Sequence, residues 1–527
     1  MQIRLYSFAT LYILKASLTM VVNEKPIRNA LISVFYKDGL DILANALNQL
    51  GVQIYSTGGT QDYLERLGIA VHRVEDLTGY PSILGGRVKT LHPKVFGGIL
   101  ARSDHEQDSQ EMKKYQIPYF DLVVVDLYPF EETVKNTSDE TSIIEKIDIG
   151  GVSLIRAAAK NFNDTLIVCD KSDFTHVSKL ISDQSGTTTL NQRRQYATKA
   201  FHATSHYDGL IFEYFDKQSS NAFKYSIGPA HPLRYGENPH QEGVFYGPLH
   251  DVLEQLHGKD LSYNNLLDVD AALNLIGDFD EPTVAIIKHN NPCGVASRNN
   301  IVDAYVAALA GDPVSAFGGV IVANRPIDEA TAKEVDKLFM EVLIAPAYEG
   351  NALQILQSKK NRILLLQKTA MPKGKLYRNI LNGVLVQDRD TVVLTAERLK
   401  LVTQQSANPQ QINDLLFADI IVKHTKSNTI VLASNKQLLG IGAGQTSRID
   451  ALKNAIAKAS EFGFDLKTAV MASDAFFPFP DCVEIAHKAG IKHIIQPGGS
   501  IKDNLSIQYC DANNMSMYFS GIRHFKH

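Results

Sequence analysis

Lys288 and His289 stand side by side after the apolar run Val284 to Ile287 and open the segment Lys288-His289-Asn290-Asn291-Pro292-Cys293-Gly294. A strand end delivers such a pair to a sheet edge. Partial burial there shifts a lysine and a histidine toward neutrality and suits both to proton transfer. The plainer reading is a solvated lysine beside a hydrogen-bonded histidine. In the first half of the chain, Ser56-Thr57-Gly58-Gly59-Thr60 lies between a strand signal and a helix signal. Two glycines there let backbone N–H groups converge on a phosphate at a helix N-terminus. The alternative is an ordinary turn with Thr60 as the N-cap. Gly85-Gly86-Arg87-Val88-Lys89-Thr90-Leu91-His92-Pro93 sets two cations and a hydroxyl beside a glycine pair, which suits an oxyanion or a solvated basic loop.

Asp126, Tyr128, Asp148 and Lys160 form a further group, with Tyr128 and Asp148 following apolar segments that would place them at a sheet edge. Singly, each also reads as a cap, a surface charge or a satisfied polar residue. Pro292-Cys293 invites comparison with zinc deaminases, whose pattern needs a second cysteine where Ala296 stands, so the zinc reading fails. The tail Arg523-His524-Phe525-Lys526-His527 is either a disordered basic end or a strap folded back into a site.

The elements that position these groups alternate. Ala30 to Val34 predicts a buried strand, and Leu40, Leu43, Ala44, Leu47 and Leu50 fall at helical spacing. Val52 to Tyr55 is a strand, followed by a helix ending near Leu67-Gly68. Leu122 to Val125 is a strand and Val152 to Lys160 a helix. This alternation implies a parallel sheet covered on both faces, with ligands at the carboxyl ends of its strands. After a polar linker near Lys217 to Asn221 the texture changes. Val284 to Ile287, Val320 to Ala323, Ala469 to Ala472 and Ile494-Ile495 each adjoin a polar, glycine-rich loop. The arrangement appears twice and hints at a duplicated α/β subdomain.

The 527 residues are 44% hydrophobic and 21% charged, with a formal net charge of −4, values of a globular chain of several domains. A nucleic-acid surface is disfavoured. Cys169, Cys293, Cys482 and Cys510 are scattered with no Cys-x-x-Cys pair, which disfavours a disulfide framework and fits a reducing compartment. Leu5 to Val22 is apolar but interrupted by Lys15, too weak for a membrane span. Residues 1–24 read as an N-terminal extension or a start-site artefact, with Met20 as the expected start.

Taken in order, the motifs resemble one family, the bifunctional aminoimidazole carboxamide ribonucleotide (AICAR) transformylase / inosine monophosphate (IMP) cyclohydrolase. The resemblance runs from about Arg28 to His527. Besides the segments above it includes Ile147-Asp148-Ile149-Gly150-Gly151, Leu233-Arg234-Tyr235-Gly236-Glu237-Asn238-Pro239-His240-Gln241 and Leu261-Ser262-Tyr263-Asn264-Asn265. Ser315-Ala316-Phe317-Gly318-Gly319, Lys426-Ser427-Asn428 and Gly440 to Gln445 with Ser447-Arg448 complete it.

The resemblance implies a methylglyoxal-synthase-like cyclohydrolase domain over 25–222. Over 223–527 it implies a transformylase of two cytidine-deaminase-like subdomains. It further implies 10-formyltetrahydrofolate as cosubstrate, no metal in catalysis, a cytoplasmic homodimer with the transformylase sites at its interface, and neither nucleic acid nor membrane as partner. Its implied transformylase residues are His289 as base, Lys288 assisting, and Asn428 holding the formyl group or carboxamide. Arg234, Tyr235, Arg448 and Arg523 grip the nucleotide, and Asn265, Phe317, Gly318, Phe476 and Asp481 contact the substrates. In the cyclohydrolase, Lys89 and Tyr128 polarise the formyl oxygen, Asp148 relays protons and Lys160 sets local charge. Ser33, Lys37, Ser56, Thr57, Gly58, Gly59, Thr60, Arg87 and Thr90 bind the nucleotide.

Three departures from the family pattern stand out. Phe35 and Asp38 lie in a loop that relatives write Ser-Val-Ser-Asp-Lys-Thr-Gly, and Asp126 stands where relatives carry Asn. Both carboxylates are expected to weaken nucleotide binding, Asp38 through its charge and Asp126 through two lost donors. Asp419 replaces an aromatic residue. The competing readings are a transformylase with a degenerate cyclohydrolase half and a non-catalytic nucleotide sensor.

Overall fold

The structure is a computed structural model that describes residues 24–216, 222–371 and 374–527. Met20, the Leu5 to Val22 stretch and the Lys217 to Asn221 linker lie outside the described residues. The chain forms two compact units, Met1–Ser226 and Ile227–His527.

Unit one is built on a five-stranded parallel sheet. Its order is Val71–Arg73, Gln53–Ser56, Asn29–Ser33, Leu122–Val125, Leu166–Val168. Leu122–Val125 and Leu166–Val168 are buried along their whole length, as strands covered on both faces must be. The helix Leu40–Gln49 buries Leu40, Leu43, Ala44, Ala46 and Leu47 along one stripe. Gly39 starts that helix in the left-handed region at φ 74°, where a side chain would be strained. From the central strand Asn29–Ser33 the chain first adds strands on one side and then crosses to the other. The switch point falls between Asn29–Ser33 and Leu122–Val125, the place where open α/β sheets bind ligands.

Unit two carries a 12-stranded mixed sheet made of two equivalent halves. In the first, Thr283–Lys288 pairs antiparallel with Asn291–Ser297 and with Val320–Ala323, which continues in parallel to Val342–Ala345 and Ile363–Gln367. In the second, Ile430–Ser434 pairs antiparallel with Gln437–Gly442 and Val470–Ser473, which continues in parallel to His493–Gln496 and Ser516–Phe519. Each half is preceded by a helix with a capping box, Ser262 with Asn265 before Tyr263–Ile276 and Asn408 with Gln411 before Pro409–His424. The halves join where Ala296 registers with Gln437. Arg298 spans that joint, donating to Ser297 O and Asn435 O at 2.8 Å each and to Gln437 Oε1 at 2.8 Å.

One segment expected as a loop is largely strand. Lys288 to Gly294 is a tight hairpin whose turn is His289-Asn290, and Asn291–Ser297 continues the sheet. Gly440 belongs to the strand Gln437–Gly442. The glycines mark close helix contacts rather than loop freedom: a Cβ on Gly294 would lie 2.1 Å from Ala308 O, and one on Gly442 1.9 Å from Ala451 O. The tail is no loose end, since Lys526 O accepts from Ser427 N at 2.9 Å.

Candidate functional site

In unit one a cavity of about 760 Å³ opens over the carboxyl ends of the sheet. Ser33 and Lys37 line it beside the end of Asn29–Ser33, and Asp126 and Tyr128 beside the end of Leu122–Val125. Thr57, Gly59, Thr60, Arg87, Lys89, Thr90 and Asp148 complete the expected residues found in its wall. The helix Gly58–Arg66 begins here with Thr57, not Thr60, at the N-cap and with no side-chain cap bond. Its first N–H groups are therefore left for an anion. A Cβ on Gly58 would be 3.7 Å from the Lys89 amine, so that cation stands at the same helix end.

Several expected binding groups are structural. Ser56 is buried and donates to Ile32 O at 2.7 Å. Thr60 donates to Val34 O at 3.0 Å and accepts from Val34 N at 3.1 Å, fixing the loop that carries Lys37. Thr57 donates to Glu75 at 2.7 Å. Lys160 is exposed in the last turn of the helix Gly150–Lys160, whose first residues line the cavity, roughly 15 Å along the axis. Within one chain it is not part of this site.

Asp148 and Tyr128 are tuned by burial. Desolvation pushes the Asp148 carboxyl above its usual range against bonds from Gly151 N at 2.7 Å and the nearby Lys89. Burial, then Asp148 and Asp126, raise the Tyr128 phenol. Burial lowers Lys37 from its ordinary value, with Asp126 opposing and Lys89 assisting. Tyr207, from the long helix Leu190–Phe215, accepts from Asp148 N at 2.9 Å and donates to Lys146 O at 2.6 Å, so it holds the Asp148 loop from behind.

The departures in this unit have clear structural outcomes. Asp126 uses both oxygens as acceptors, from Phe35 N and from Tyr36 N at 2.9 Å. The two donors an Asn would add have no place in that arrangement. Asp38 pairs with Lys171 at 2.9 Å and does not line the cavity. Phe35 meets Tyr128 edge-on at 5.6 Å, with the Lys146 amine 5.4 Å from one ring and 5.8 Å from the other. Lys146 and Tyr207 are not legible as site residues, because a charged residue in a helix-to-helix connection and a tyrosine on a distant helix give no local signal.

In unit two, Lys288 donates to Phe317 O at 2.8 Å, and a Cβ on Gly318 would be 3.2 Å from its amine. His289 is exposed at the hairpin tip, not partly buried, with φ 51° beside Asn290 at φ 65°. Both turn residues thus have the positive φ of a two-residue type I′ turn. Asp268 holds this turn, accepting from Asn290 N at 2.7 Å. Asn291 links it to the next motif: its amide donates to His289 O at 3.0 Å and its oxygen accepts from Lys426 N at 3.1 Å.

Asn428 follows directly and donates to Gln445 O at 2.9 Å. Fully buried Asp474 binds the Ser427 hydroxyl and pairs with Arg448 at 3.0 Å. The guanidiniums of Arg448 and Arg523 lie 5.8 and 4.4 Å from the Phe525 ring. The structure therefore gathers Asn428, Arg448 and Arg523 in one cluster. Asn265 is spent on its capping box and on Glu341 at 2.9 Å. Arg234 lines a separate cavity of about 280 Å³ and lies over Tyr235 at 5.6 Å. Phe476 is half exposed just after Val470–Ser473, and Asp481 begins the helix Asp481–Lys488. Among the described residues no group of three or more His, Cys, Asp or Glu side chains is arranged to hold a metal ion, and no helix is long and apolar enough to cross a membrane.

A parallel-sheet unit with an anion-suited cavity at its switch point, followed by a duplicated mixed-sheet unit, defines a two-part α/β enzyme. Residues 39–153 match a family model described as an MGS-like domain, and residues 158–458 match one described as AICARFT/IMPCHase bienzyme. Three proteins named "Bifunctional purine biosynthesis protein PurH" are similar over nearly the full chain. That of Bacteroides thetaiotaomicron is 57% identical, covering 96% of this chain and 99% of its own. Those of Aquifex aeolicus and Acetivibrio thermocellus are 48% and 47% identical, covering 94% and 95% of this chain and 100% of theirs. The chain belongs to the AICARFT/IMPCHase bienzyme family.

Proposed function

We propose that the two units divide the two activities of the family, unit two transferring the formyl group and unit one closing the ring. The chain is an AICAR formyltransferase and IMP cyclohydrolase of IMP synthesis. The observation that carries the division is the cavity of unit one, where Lys89, Tyr128 and Asp148 converge beside an uncapped helix N-terminus.

In unit one the nucleotide phosphate takes the free N–H groups of Gly58–Arg66, with Lys37 and Arg87 near. The carboxamide nitrogen attacks the formyl carbon, and water leaves. Tyr128, kept protonated by its raised pKa, donates to the developing oxyanion beside Lys89. Asp148, raised by burial, takes and returns the proton. The charge role expected of Lys160 falls here to Lys37 and Lys146. The satisfied positions of Asp126 and Asp38 weigh against a degenerate cyclohydrolase.

In unit two the poorly nucleophilic AICAR amine attacks the formyl carbon of 10-formyltetrahydrofolate, with His289 accepting its proton. Lys288 stabilises the developing charge, Asn428 orients the formyl group or carboxamide, and Arg448 and Arg523 hold the nucleotide. A homodimer is supported by the hairpin Lys375–Ile380 and Gly383–Asp388, which exposes Ile380, Leu381, Val384, Leu385 and Val386 and lies near the chain end, with Arg378 donating to His527 O at 3.3 Å. Four free cysteines support a cytoplasmic enzyme.

The test supplies AICAR with 10-formyltetrahydrofolate, and separately the formylated nucleotide alone. Tetrahydrofolate and IMP in the first assay and IMP in the second are expected. Tetrahydrofolate without enzyme-dependent IMP would leave unit one a scaffold. Turnover that survives in both the His289→Ala and Tyr128→Phe proteins would overturn the residue assignments.

A further inference from the structure

The C-terminal tail returns to the sheet through His524. Its backbone N–H donates to Asp474 O at 3.0 Å, and its ring is 2% exposed. Nδ1 lies 2.6 Å from Asp390 Oδ2. Nε2 lies 3.6 Å from Asp419 Oδ2, an ion-pair distance, and is buried without a hydrogen-bond partner. With a carboxylate facing each ring nitrogen, only the imidazolium presents an N–H to both. Flanking it in sequence are Arg523 and Phe525, and the Arg523 and Arg448 guanidiniums both lie over the Phe525 ring, 4.4 and 5.8 Å from its centre.

We propose that His524 is a positioning residue of the transformylase. Held as an imidazolium between Asp390 and Asp419, it docks the tail and so sets Arg523 beside Arg448. The proposal rests on the transformylase reading of unit two. It adds a charge lock that acts through the tail and touches no substrate.

The other charges packed around the ring are engaged elsewhere. Lys423 acts on Asp390 but pairs with Asp278 at 2.9 Å. The Asp474 carboxylate is held by Arg448 at 3.0 Å. Arg389 donates to Asn274 at 3.2 Å, and Lys526 to His424 O at 2.9 Å. Burial opposes charge on His524, but Asp390 and Asp419 outweigh it and raise the ring to about 9. A raised histidine is fully charged below its unfolded value and loses its contribution as pH climbs through about 9. Docking is thus complete at neutral pH and fails under alkaline conditions.

Trypsin cuts after Arg523 and Lys526 only when the tail is loose, so terminal-peptide release from the full chain, read by mass spectrometry, reports docking without reference to catalysis. In His524→Gln, release at neutral pH should be about tenfold faster or more, and KM for AICAR about tenfold higher with kcat little changed, as loss of a charge-assisted bond requires. In the conservative Asp419→Asn protein, the alkaline midpoint of tail release should move down from about 9. Equal resistance and equal KM in His524→Gln and the parent would overturn the proposal, as would an unmoved midpoint in Asp419→Asn. A tail that behaves as expected in a protein without AICAR turnover would sink the transformylase reading and leave the docking lock standing.

Discussion

Asp268 and Asp414 occupy the same position on the leading helices of the two halves of unit two, and each grips the hairpin turn of its own half. Asp268 accepts from Asn290 N at 2.7 Å, and Asp414 accepts from Asn435 N at 2.9 Å and Lys436 N at 2.7 Å. All four turn residues have positive φ. One device thus holds two turns, and only one of them carries the Lys288-His289 pair. Asp268→Ala should remove about 1–3 kcal/mol from the His289 turn and lower transformylase turnover ten- to a hundredfold. Ring closure of the formylated nucleotide should be unchanged. Asp414→Ala should cost similar stability with a smaller loss of turnover; equal losses in both variants would mean that the turn itself does not place His289.

Tyr128→Phe removes one donor from the unit-one cavity and nothing from the fold's core. Ring closure should slow by about 10²- to 10³-fold, the usual effect of losing an oxyanion donor, while formyl transfer persists. Stopped assays on the two substrates separate the steps.

Gly151 leaves room for the Asp148 carboxylate: a Cβ there would stand 2.5 Å from Oδ2. Gly151→Ala should displace Asp148 and depress cyclohydrolase kcat with little change in transformylase. The raised pKa of Asp148 predicts an acid limb of the ring-closure profile above the ordinary carboxylate range. Because the folded state holds that proton more tightly than the unfolded chain, this group's contribution to stability is present at low pH and is lost as pH rises through its folded value. Asp148→Asn should abolish the limb, as rate–pH profiles of the two proteins would show.

Asp126→Asn tests whether two acceptors are needed below the Phe35-Tyr36 loop. An amide offers one oxygen to two backbone donors, so about 1–3 kcal/mol of stability should be lost and Tm should fall. A rise in Tm would show that desolvation of the carboxylate outweighs its bonds.

Legibility followed pattern length. Leu122–Val125 and Val320–Ala323 have the bounds their unbroken apolar runs predict. Lys288 to Gly294 reads as a loop because Asn, Pro and Gly make up most of it, yet Asn291 to Gly294 is strand and Gly294 is there to admit the Ala308 carbonyl. Lys89, Tyr128 and Asp148, singled out in the sequence, line one cavity. Thr60 and Asn265 bear the right groups for ligands, but their partners, Val34 and Glu341, are set by tertiary packing that spacing does not reveal. Asp38 looked harmful from charge alone, and its partner Lys171 comes from a remote segment.

A sheet assembled from two repeats contains one joint that neither repeat can copy from the other. At that joint, between Asn291–Ser297 and Gln437–Gly442, Arg298 reaches three backbone carbonyls and the Gln437 side chain. The seam is therefore riveted by a side chain from one half on main-chain atoms of the other, a fastening that is indifferent to most substitutions along the strands it closes. Each half is free to drift in sequence, the first keeping the Lys288-His289 turn and the second the Asn428, Arg448 and Arg523 cluster, without parting from its twin.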